Sequence, residues 1–124
     1  MGDVLIDSCG WVALVDGGFN IDTSLSKLVG PPHFILLDLV LDELEAIDQS
    51  RSRGNKLMLD LLLQRSTQID YVVSHTDDAL IEMAKERGIP ILTVDAKLKR
   101  RSLENGVAVV EVLQGKNIRL INGL

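Results

Sequence analysis

"HTDDALIEMAKERGIPILTVDAKLKRR", residues 75–101, holds the whole local logic of the chain. Thr76 stands where a hydroxyl caps a helix, and Asp77 and Asp78 are the acids a first helical turn favours. Gly88, with Pro90 just beyond it, stops that helix at Arg87. "PILTV", residues 90–94, is then a short apolar, β-branched strand. It runs straight into Asp95, and a second helix from about Ala96 to Glu104 carries Lys97, Lys99, Arg100 and Arg101. Helix, strand and helix with short connections make the repeating unit of a parallel sheet.

Working outward, the same alternation fills the chain. "VLID", residues 4–7, reads as a first buried strand, followed by short helices over residues 10–15 and 21–29 that end at "GPP". "HFILL", residues 33–37, is a second strand, and Asp38 is placed to cap a helix reaching Asp48. "RSRGN" breaks the chain before a helix over residues 56–64. "IDYVV", residues 69–73, is a third strand. "VAVVEV", residues 107–112, is a fifth, and "NIRLI" after "QGK" adds a hairpin. The expected class is α/β with a mainly parallel sheet. No repeat, low-complexity tract or linker interrupts it.

The 124 residues match one domain with a real core, and 46% apolar with 25% charged residues is a globular composition. No apolar run approaches the ~20 residues that span a bilayer, so no membrane association is expected. The acidic start "MGDVLIDSCG" does not read as an export signal. The lone Cys9 cannot form an internal disulfide, and a reducing cytoplasm fits it. The net charge of −5 argues mildly against non-specific nucleic-acid binding, but the cations are clustered.

The acids have telling addresses. Asp7 ends strand one, Asp95 ends strand four, Asp77 and Asp78 open the helix after strand three, and Glu43 lies one turn into the helix after strand two. In an open parallel sheet all these addresses share the edge outside the carboxyl ends of the strands, where α/β folds bind ligands. Such like charges raise one another's pKa values, and a divalent cation relieves that cost. Mg²⁺ suits hard oxygen ligands and keeps several waters. Two such ions about 3.5–4 Å apart can clamp an in-line phosphoryl displacement. The basic run Lys97, Lys99, Arg100 and Arg101 then has work to do beside them, holding an anionic backbone. Each residue also has a plainer reading: first-turn acids for Asp77 and Asp78, a solvated helix face for Glu43 and for the cations. Asp7 and Asp95 are harder to explain so, because each ends an apolar strand.

These residues resemble those of PIN-domain ribonucleases over nearly the whole chain. "LIDSCGWVALVD" resembles the family's opening aspartate with a hydroxyl residue after it. "LDLVLDELEAI" resembles the segment carrying the family's glutamate, which falls on Glu43. In residues 75–101 the third acid falls on Asp78, before Ala79, with Asp77 as helper, and the fourth on Asp95. The resemblance implies a three-layer α/β/α sandwich formed by residues 1–124 as a single domain. It also implies a Mg²⁺- or Mn²⁺-dependent endoribonuclease with Asp7, Glu43, Asp78 and Asp95 as metal-binding catalytic residues. "DDALIEMA" and "DAKLKRR" look more like the ribosomal-RNA-processing branch than the VapC toxin branch. A ribosome-assembly partner goes with the first, an antitoxin with the second. Cys9 stands where the family often has Asn or Ser, and Val94 where many members have Asn; both departures touch the water network rather than a carboxylate.

Other residues are open to two readings. Ser8 orients a ligand carboxylate or satisfies local backbone. Thr93, two before Asp95, shares its face or packs its methyl in the core. Cys9 has no adjacent base and reads as a small buried side chain rather than a nucleophile. His33 and His75 lack metal-ligand spacing. Trp11 stacks on a base or, more in keeping with its surroundings, packs in the core or against a dimer partner; a homodimer remains open. Arg51, Arg53 and Lys56 touch phosphates or solvate a loop. A non-catalytic RNA- or protein-binding domain is the competing function. A receiver domain would need an acidic pair after strand one, and a haloacid-dehalogenase-type phosphatase Asp-x-Asp; Asp7-Ser8-Cys9 meets neither.

Overall fold

In a computed structural model, which describes residues 2–71, 75–113 and 117–122, the chain builds one six-stranded sheet with helices on its faces. The strands are β1 (Asp3–Ile6), β2 (His33–Leu37), β3 (Ser66–Ile69), β4 (Ile91–Leu92), β5 (Val109–Leu113) and β6 (Asn117–Ile121). The helices are α1 (Ser8–Asp16), α2 (Ile21–Val29), α3 (Asp38–Gln49), α4 (Leu59–Gln64), α5 (Thr76–Arg87) and α6 (Ala96–Glu104). The strand order is β3-β2-β1-β4-β5-β6, parallel throughout except for the antiparallel β5–β6 hairpin.

This order reverses between β1 and β4. The chain moves outward from β1 through β2 to β3, then returns and moves the other way. Right-handed crossovers therefore put the helices of the two halves on opposite faces, giving three layers. The inner strands are covered on both faces, which is why β1 and β2 read as unbroken apolar runs. Val4, Leu5, Ile6 and Phe34 to Leu37 are all buried. Trp11 anchors α1: it is fully buried, stacks edge-on against Phe34 at 5.9 Å, and its indole N–H donates to the Leu57 carbonyl at 2.8 Å. Base stacking by Trp11 is thereby excluded. Trp11→Phe keeps most of the apolar area but strands a buried carbonyl. Thermal and urea unfolding should show a loss of about 1–3 kcal/mol.

Several elements differ from the sequence-based expectation, each for a local reason. The third strand is Ser66–Ile69, paired with Phe34 to Leu37, not residues 69–73. It is an edge strand with Thr67 and Gln68 exposed, so it needs no apolar run to declare it. Val72 and Val73 of the expected strand lie outside the described residues, as does "QGK", residues 114–116. The expected helix over residues 56–64 is a 3₁₀ turn at Arg53–Asn55 followed by the shorter α4. Between them Leu57 is buried and Met58 takes a left-handed conformation at φ 52°. β4 has only two paired residues, though Thr93 beyond it is still fully buried.

Caps also shift. α1 begins at Ser8, capped by Asp7. Asp38 is the first residue of α3 rather than its cap, which is Leu37. α5 is capped by His75, and Thr76 is its first residue. Gly88 ends α5 in the left-handed region at φ 65°, as the Gly-then-Pro pattern requires.

Candidate active site

The reversal between β1 and β4 leaves a crevice outside their carboxyl ends. Asp7 follows β1 and Asp95 follows β4, so the two acids flank it. Asp7 is almost fully buried and firmly oriented. Its Oδ1 accepts from the Ser8 backbone N–H at 2.9 Å. Its Oδ2 accepts from the Thr93 hydroxyl at 2.8 Å and lies 3.0 Å from the Cys9 thiol. The Thr93 hydroxyl also accepts from the Asp95 backbone N–H at 3.1 Å. Thr93, fully buried, thus ties the two strand-end acids together. Asp95 caps α6, its Oδ1 accepting from the Lys97 and Leu98 backbone N–H groups at 2.8 and 3.2 Å.

Glu43 comes from α3 and is exposed. It is held from two sides: the Ser8 hydroxyl donates to Oε1 at 3.0 Å and the Thr76 hydroxyl to Oε2 at 3.3 Å. The residue after the first acid and the first residue of α5 thereby share one carboxylate. Glu43, His75, Thr76, Asp77, Asp78, Lys97 and Arg101 line an open cleft of about 540 Å³. His75 enters only because it immediately precedes α5; its side chain makes no cap hydrogen bond. His33 lies elsewhere, its Nε2 2.7 Å from the Thr67 hydroxyl at the sheet edge.

The adjacent acids Asp77 and Asp78 face different partners. Burial, with the negative charges of Asp7 and Asp95 behind it, holds the Asp77 carboxyl above its ordinary pKa, and Arg101 opposes them. Asp78 is exposed, and the hydrogen bond from Arg101 holds its pKa below the ordinary value. The basic run divides in the same way. Lys97 and Arg101 face the cleft. Lys99 instead pairs with the buried Glu111, which also accepts from Arg119 at 2.8 Å, and Arg100 sits 4.0 Å from Glu104 on the exposed side of α6. The four cations were expected to act together; the helical period sends them three ways.

Remaining candidates resolve simply. Arg51 makes a two-pronged bond to Asp16 at 2.7 and 2.9 Å, and the Lys56 ammonium donates to the Asp48 carbonyl at 2.7 Å. Both belong to the loop. The Cys9 thiol is pushed up to about 11, by burial first and by the Asp7 charge second. It is a neutral donor beside Asp7, not a nucleophile. Val94 is 44% exposed, so this departure from the family pattern faces solvent. Among the described residues no three carboxylate, imidazole or thiol groups converge closely enough to enclose an ion unaided. The donors are hard oxygens on an open edge, which fits a cation that keeps part of its own water shell.

Residues 4–116 match the PIN-like domain family, and the chain belongs to that family. It is 32% identical over 104 residues to Ribonuclease VapC4 of Methanocaldococcus jannaschii, covering 78% of this chain and 79% of that one. A 75-residue stretch is 31% identical to glutathione gamma-glutamylcysteinyltransferase 2 of Arabidopsis thaliana. That stretch is 56% of this chain but only 17% of that protein, so none of its activity carries across. Among solved structures, the PIN domain endonuclease Utp24 superposes with a TM-score of 0.76 over 98% of this chain and 95% of that one. At 16% identity this likeness concerns the fold.

Proposed function

We propose that the protein is a Mg²⁺- or Mn²⁺-dependent endoribonuclease that hydrolyses RNA phosphodiester bonds. The observation that carries this reading is the linkage of acids from separate elements at one sheet edge: Ser8 bonds both Asp7 and Glu43, and Thr93 bonds both Asp7 and the Asp95 backbone. The VapC4 relative supports ribonuclease chemistry. Asp7, Glu43, Asp77 and Asp95 would hold the cation, which when bound supplies charge neutralisation at phosphate and an activated water. The chain's own part is preorganisation. Ser8, Thr93 and Cys9 fix the Asp7 carboxylate, Ser8 and Thr76 fix Glu43, and the backbone of α6 fixes Asp95. Lys97 and Arg101 give an incoming phosphate its counter-charge.

Two biological settings remain with this chemistry. The "DDALIEMA" and "DAKLKRR" segments favour ribosomal RNA processing. The identity to VapC4 favours a toxin-type ribonuclease whose partner is an antitoxin. Co-purification with a small antitoxin would decide for the second. Among the described residues no helix is long and apolar enough to cross a membrane.

The direct test is cleavage of a labelled single-stranded RNA with Mn²⁺ and with EDTA, beside thermal melts. Saturating Mn²⁺ should raise the Tm by on the order of 5 °C, because it binds only the folded form. In EDTA the raised Asp77 pKa has the opposite sign of effect. The folded state binds more protons there, so stability is lost as pH rises above the ordinary carboxylate value through the raised one. Asp77→Asn should therefore melt higher than wild type in EDTA at neutral pH, and lose most of the Mn²⁺ gain. Absence of both cleavage and metal response in the wild type would sink the proposal.

A further inference from the structure

We infer that the two adjacent aspartates divide the work: Asp77 faces the cation, while Asp78 is a positioning residue that holds Arg101 at the mouth of the cleft to receive a phosphate neighbouring the one cleaved. This rests on the ribonuclease reading and deepens it.

The geometry separates the two side chains. They are consecutive at the start of α5, where a turn of 100° per residue points them in different directions. Arg101 on α6 reaches across and donates through one Nη to Asp78 Oδ1 at 2.5 Å. That bond occupies one of the five N–H groups of the guanidinium and leaves the planar fork oriented with donors to spare. Asp78 is exposed and Arg101 half-buried, and both line the cleft with Lys97. Asp77 is half-buried where Asp78 is exposed, and it lines the same cleft.

Phosphate is the group such a site can grasp. The chain has one Trp, one Tyr and two Phe. Trp11, Phe19 and Phe34 are buried, and Tyr71 is half-buried beside Glu82. None of these lines the cleft, whose single ring is the His75 imidazole, so contact with the strand falls mainly to the cations and the phosphate backbone they attract. A guanidinium already fixed in place loses less freedom on meeting a phosphate than a free one.

The sign of the effect makes the test sharp. A carboxylate that merely stood in the path of RNA would repel it, and its removal would lower KM. Under the positioning role Asp78→Ala should raise KM about tenfold, as losing ~1.4 kcal/mol implies, with kcat changed less than about threefold. Arg101→Ala should do the same. The double variant should be little worse than either single one, because the two act as a unit. Asp78→Asn, which keeps an acceptor oxygen for Arg101, should recover most of the loss. Apart from activity, Asp78→Ala should keep the Mn²⁺-induced rise in Tm that Asp77→Ala loses. Cleavage would be measured on a 5′-labelled single-stranded oligoribonucleotide, with melts in Mn²⁺ and EDTA.

A lower KM in Asp78→Ala, multiplying effects of the two substitutions, or loss of the Mn²⁺ response at Asp78 overturns the inference while leaving the ribonuclease reading intact. A wild type without metal response or cleavage overturns both. If Asp78→Ala does not fold, Arg101→Gln carries the same KM comparison.

Discussion

Asp95→Asn should leave the fold intact and reduce RNA cleavage by about a hundredfold or more. Both of its cap bonds go to a single oxygen, Oδ1, from the Lys97 and Leu98 backbone N–H groups. Asn offers an equivalent oxygen and caps nearly as well, so the start of α6 should be undisturbed. What disappears is the negative charge beside Asp7 and Asp77. If that charge helps hold a cation, the transition state loses a few kcal/mol of stabilisation, and each ~1.4 kcal/mol is tenfold in rate. RNA should still bind, since one repulsive charge is gone. Single-turnover cleavage in Mn²⁺, run with a thermal melt, measures both halves. Activity within a few-fold of wild type would leave Asp95 as a helix cap and remove much of the case for the acidic crevice.

The largest effect on stability is expected from a residue with no side chain. Gly10→Ala should cost about 3 kcal/mol or prevent folding, although alanine is the better helix former. A Cβ at Gly10 would lie 2.5 Å from the Leu92 carbonyl oxygen and 2.5 Å from the Leu92 Cδ2. The side chain could turn aside, but the carbonyl oxygen belongs to β4 and is already used: it accepts from the Asp7 backbone N–H at 3.0 Å. Room for a methyl group must come from pushing α1 off the sheet. That same displacement would separate Asp7 from Thr93, so any Gly10→Ala protein that folds should also cleave poorly. Urea unfolding measures the first consequence and single-turnover cleavage the second. A melt within a degree or two of wild type would show that the approach of α1 to β4 is looser than the structure has it.

Sequence and tertiary structure contribute differently to this protein. The apolar runs at residues 4–6 and 33–37 announce buried parallel strands without help, because a strand covered on both faces has no polar side to disguise it. The Gly88–Pro90 stop and the acids at strand ends are equally local, so the alternation of elements and the edge that holds Asp7, Glu43 and Asp95 could be read directly. β3 could not, because an edge strand of Ser66, Thr67, Gln68 and Ile69 relies on β2 for its hydrogen bonds and offers a single apolar residue to the core. Nor could the division between Asp77 and Asp78. Residues adjacent in sequence look alike there, and only the rotation along α5 and the reach of Arg101 from α6 tell them apart. The same holds for Lys99, which looks like one cation of a run until β5 brings Glu111 beneath it. Position along the chain determines which element a charge belongs to, but the packing of that element decides which other charge it meets.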